Sequence, residues 1–73
     1  MGPQDTNDVA RYVARDLSGV VGELASIKGD AIHWLTDPEY ETLRLRLETT
    51  HAAAEAALIE AKRRVRINEG RER

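Results

Sequence analysis

There is no cysteine among these 73 residues, so neither a disulfide nor a thiolate metal site can brace the chain. Phenylalanine is missing too, and one Trp and two Tyr make up the whole aromatic complement. Proline occurs only at Pro3 and Pro38, which leaves long stretches without a fixed helix breaker. No apolar run approaches the ~20 residues that cross a bilayer, and no signal-type apolar core follows Met1. A cytoplasmic protein without a membrane partner is the expectation that fits. The usual marks of catalysis are also missing. The glycines lie inside helical patterns with no strand before them, so they form no phosphate-binding loop. Nothing matches G-x-S-x-G, and a chain this short builds no deep cleft. A non-enzyme with no cofactor and no small-molecule substrate is expected.

What the chain does have is helical periodicity. Ala10, Val13, Leu17, Val20, Leu24, Ile27, Ala31 and Trp34 follow a 3-4 spacing without interruption, the pattern of an amphipathic helix. Asp5 or Thr6 can cap its start, and Asp8 suits the positive end of the helix dipole. Gly29-Asp30 offers a second stop and start, which would leave residues 31–36 as a short separate helix. The heptad runs through that point and favours one helix. A second helix is announced by Asp37 as N-cap and Pro38 at the first helical position, where its missing amide costs nothing. Its apolar side reads Tyr40, Leu43, Leu47, Ala54, Leu58, Ala61 and Val65. Asn68 and Gly70 supply stop signals, so this helix is expected over 38–67.

The expected fold is therefore all-α: one domain over 1–73, two long helices in an antiparallel hairpin about Thr36-Asp37-Pro38, and flexible ends at 1–6 and 68–73. Only nineteen Leu, Ile, Val, Trp and Tyr side chains are available for a core. A scaffold this small without disulfides or metal commonly completes itself by association. Self-association, as a homodimer, or binding to another protein is expected through Val13, Leu17, Val20, Leu24 and Ile27. Trp34 has two readings, closing the end of the core with His33 at the surface, or anchoring a partner.

Two further patterns bear on packing and chemistry. Ser18, Gly22, Ala25 and Gly29 form a stripe of small residues, either solvated or a close helix contact. Folding about residue 36 would set 18–22 level with the alanine cluster near 50–54. It would also set Glu23 level with Glu48. Glu48 and His51, three apart, share a helix side in the manner of carboxylate-bridged di-metal sites. Because Arg44, Glu48, His51 and Glu55 lie together beside the apolar stripe, a solvated charged face outweighs a metal site at Glu23, Glu48 and His51.

Charge is divided along the chain. Eleven acidic and five basic side chains occupy 1–61, whereas 62–73 holds six basic and two acidic. Lys62, Arg63, Arg64 and Arg66 suit the negative end of a helix dipole. They could equally contact nucleic acid or an acidic protein surface. The leading expectation is a small regulatory or adaptor protein acting through helix contacts, of the kind a phage or plasmid uses to modulate host machinery such as transcription.

Overall fold

The computed structural model describes residues 6–71. Helix α1 covers Thr6–Trp34 and helix α2 covers Glu41–Arg71, with a single 3-10 turn at Pro38–Tyr40 between them. The two helices pack against each other as an antiparallel hairpin, and no strand occurs among the described residues. The shape is a slab of 54 × 23 × 14 Å with a radius of gyration of 16.5 Å. A compact domain of this length would have a radius of about 11 Å.

Helix α1 passes straight through Gly29-Asp30, and the separate helix over 31–36 does not form. Ala31, 5 % exposed, holds this part of α1 against its neighbour, and a side chain added at Gly29 would meet open space. Nothing presses the helix to bend there. At the other end α2 runs to Arg71, past the stop signals at Asn68 and Gly70. Gly70 does not take the left-handed conformation of a helix cap. Instead Arg11 donates to Glu69 at 2.9 Å, which fastens the last turns of α2 to the start of α1. Asp5 and the rest of 1–5, with 72 and 73, lie outside the described residues.

The joint is made differently from the expected cap. Asp37 is extended, with φ −64° and ψ 147°, and its carboxylate makes no capping bond. Its backbone carbonyl accepts from the Tyr40 amide at 3.0 Å, closing the 3-10 turn, while Pro38 occupies the first position as its chemistry suggests. A helix ends with carbonyls that lack partners. Here Arg44, one turn into the next helix, donates to the carbonyls of Leu35 and Asp37. One guanidinium thus satisfies both the end of α1 and the turn, and ties the two helices at their nearest point.

Contacts across the hairpin fix the register. The Lys28 ammonium lies 3.2 Å from His51 Nδ1, and Arg11 reaches Glu69. The turn is therefore centred near residues 39–40. Residues 18–22 lie level with about 57–61, some two helical turns from the expected alanines at 50–54. The small stripe does not form the hairpin contact: Ser18, Gly22, Ala25 and Gly29 are all exposed. The seam of α1 is instead Ala10, Ala14, Leu17, Val21, Leu24 and Ala31, with Asn7 and Lys28 completing the 3-4 spacing. In this register Leu17 falls opposite Ala61, Leu24 opposite Ala54, and Ala31 opposite Leu47. At these three levels a large side chain faces a small one, which lets the two helices approach closely.

Removing the Arg44 guanidinium leaves the Leu35 carbonyl without its side-chain donor and the Asp37 carbonyl with the Tyr40 amide alone. Arg44→Ala is expected to cost about 1–2 kcal/mol and to lower Tm by roughly 5–15 °C in a far-ultraviolet melt. A Tm within 2 °C of the parent chain, on the order of the error of such a melt, would mean that water serves the turn equally well.

Candidate interaction surface

The seam divides the side chains expected to meet a partner. Leu17 and Leu24 face α2 and are half-buried. Val13, Val20, Ile27 and Trp34, each seven residues from the next, lie one position to the side and remain exposed. Seven residues are two turns of helix, so these four form a straight row beside the seam. Trp34 does not close the core. It is 73 % exposed, the most open large apolar side chain of the described chain, with the His33 ring set edge-on against it at 4.6 Å.

At the turn end the row meets α2. Ile27, Ala31, Trp34 and Leu35 from α1, with Leu43 and Leu47 from α2, line an open groove of about 400 Å³ whose one charged wall is Asp30. Sequence spacing places Leu43 on the apolar side of α2. It is 44 % exposed and borders the groove instead. Along the outer edge of the same face, Asp16, Glu23 and Asp30 form an exposed acidic row, again seven apart. Farther from the turn the α2 side becomes polar, with Thr50 and Arg64 in the corresponding positions.

Of the four polar side chains read as a solvated face, Glu48 and Glu55 are exposed as expected, whereas Arg44 and His51 turn into the seam, where Lys28 of α1 meets them. His51 is buried, and Arg44 and Lys28 are half-buried. The Lys28 ammonium can only donate, so the 3.2 Å contact is a hydrogen bond when His51 Nδ1 is the accepting nitrogen. Glu55 Oε1 lies 3.7 Å from the same nitrogen. This is a polar pair within the seam, one that favours a single register because a slip would strand both groups. It does not assemble the metal set considered above. The register carries Glu23 to the level of residue 56, away from Glu48. Among the described residues no three His, Asp or Glu side chains lie together as a metal would require.

The basic end of α2 is partly occupied by its own acid. Glu60 accepts from Arg63 at 2.6 Å and lies 3.5 Å from Arg64. The hydrogen-bonded Arg63 guanidinium, with Arg64 beside it, holds the Glu60 carboxyl below the ordinary carboxylate range. Two of the four cations proposed for phosphate contact therefore already share a counter-charge. Lys62 and Arg66 remain exposed on the same turn of helix.

These features define the class plainly: an all-α helical hairpin. No helix among the described residues is long and apolar enough to cross a membrane. The chain matches no known protein family, no curated protein and no solved structure.

The polar layer generates a paired expectation. His51→Leu alone leaves the Lys28 ammonium in the seam without its acceptor and should destabilise the hairpin by about 1–3 kcal/mol. Combining it with Lys28→Leu should restore or exceed the parent stability while loosening the preference for one register. Urea denaturation of the three chains checks this; a double variant less stable than His51→Leu contradicts it.

Proposed function

We propose that this chain is a small non-enzymatic adaptor or regulator that works by laying its apolar face on another helical surface. The observation that carries this reading is the exposure of Trp34 beside a groove lined by Ile27, Leu43 and Leu47. Interface energy concentrates in aromatic anchors seated in apolar pockets and ringed by polar side chains. The row Val13, Val20, Ile27 supplies the apolar extension, and Asp16, Glu23 and Asp30 supply the rim. A helical partner fits better than an extended peptide, because the face offers side chains at helical spacing and no open strand edge.

Contact with nucleic acid through Lys62, Arg63, Arg64 and Arg66 is the competing reading. Glu60 weighs against it by neutralising part of that cluster, and no aromatic lies among these residues to stack on bases.

The two are separated by one set of variants. Partner recovery, quantified from extract with the parent chain as bait, should fall at least about tenfold for Ile27→Glu and Trp34→Ala, and hold for Arg63→Ala with Arg64→Ala and Arg66→Ala. The opposite pattern, with binding to RNA or duplex DNA that weakens steeply as salt rises, would transfer the function to the basic end.

A further inference from the structure

We propose that the groove at the turn end receives a second copy of this chain, the two hairpins stacking apolar face to apolar face with their turns at the same end. This rests on reading that face as a contact surface, and it names the occupant.

Three observations point to a second copy. The first is area. The chain exposes 5495 Å², whereas a compact monomer of its mass would expose about 4500 Å². The apolar row from Val13 to Trp34 is about 32 Å long at 1.5 Å per residue, on a slab 23 Å wide. The face is thus on the order of 700 Å², close to the ~800 Å² that each partner gives to a stable interface.

The second is self-complementarity. A two-fold interface needs one patch that carries both the knob and the hole. Trp34 projects at the lip of the groove that Ile27, Ala31, Leu43 and Leu47 line. Rotation about an axis parallel to the helices sets α1 of each copy over α2 of the other. Trp34 of each then enters the other's groove beside Leu43, and Val20 meets the small Ala57. Apolar residues at two seam positions plus one flank are the composition of a four-helix bundle rather than of a lone pair.

The third is charge. In this arrangement the acidic row on the outer edge of α1 faces the outer edge of the second copy's α2, where Arg46 lies near Asp30, Ala53 is neutral, and Glu60 is already paired with Arg63 and Arg64. With the turns at opposite ends, the two acidic rows would face each other, Glu23 against Glu23. Like charges so placed repel, so turn-to-turn stacking is preferred.

The single Trp makes the test direct in the native chain. Sedimentation should give a dimer mass at tens of micromolar, and concentrating the protein should shift Trp34 emission to the blue and reduce its quenching by acrylamide. Leu43→Glu should abolish both effects while the circular dichroism remains helical; if that variant unfolds, the native emission shift still decides. A spin label on Glu39→Cys in the turn should report a separation of about 30 Å or less. A monomer at every concentration with water-exposed Trp emission overturns the second copy. In that case the contact-surface reading survives only if Ile27→Glu still abolishes partner recovery. A dimer with labels about 50 Å apart, near the length of the hairpin, or with unchanged Trp emission, overturns the arrangement proposed.

Discussion

A helix with one neighbour can cover only one side of its apolar surface. That constraint organises this molecule. The α1·α2 seam half-buries the large side chains that meet in it and, among the described residues, fully buries a single apolar one, Ala31. Whatever apolar surface exceeds the width of the seam must remain outside, and in α1 the excess is a whole row. The apolar surface left outside is thus a consequence of the chain's being a hairpin, and the exposed Trp34 is where that consequence is largest.

What holds the hairpin in one register is mostly polar. Arg44 at the turn, the Lys28–His51 pair in the middle and Arg11–Glu69 at the open end are spread along nearly the full length of the slab. Alanine-rich seams such as this one offer little resistance to sliding, because small side chains interlock weakly. A slip of one heptad would keep much of the apolar packing but would separate all three polar pairs. Specificity and adhesion are therefore assigned to different residues: charged and imidazole groups set the register, and leucines and valines supply the contact.

The fold was largely legible in the sequence. The helical spacing, the position of the joint at Asp37-Pro38 and the continuity through Gly29-Asp30 followed from periodicity and the proline, whereas the capping bond expected of Asp37 does not form. The seam of α1 did not. Two heptad choices share Ala10, Leu17, Leu24 and Ala31, and differ in taking either Val13, Val20, Ile27 and Trp34 or Ala14, Val21, Lys28 and Leu35. Hydrophobicity favours the first set, because the second contains a lysine. The deciding residue was on the other helix. Only His51 gives Lys28 a partner, and strict 3-4 spacing in α2 through Tyr40, Arg44, Leu47, His51 and Ala54 was the signal that could have revealed it. The hairpin centre was misplaced for a related reason: the 3-10 turn at Pro38–Tyr40 lengthens the joint, which moves every pair across the seam by about two turns.

The most direct measurement of this account is the relative accessibility of adjacent residues in α1, which the absence of native cysteine makes simple. Val20→Cys and Val21→Cys would be labelled with a bulky thiol reagent in separate chains, dilute enough to remain monomeric. With Val21 in the seam and Val20 on the open row, the cysteine at 20 should react several-fold faster than the cysteine at 21. Faster reaction at 21 would put the seam through Val20 and Ile27, and the apolar face described here would not exist.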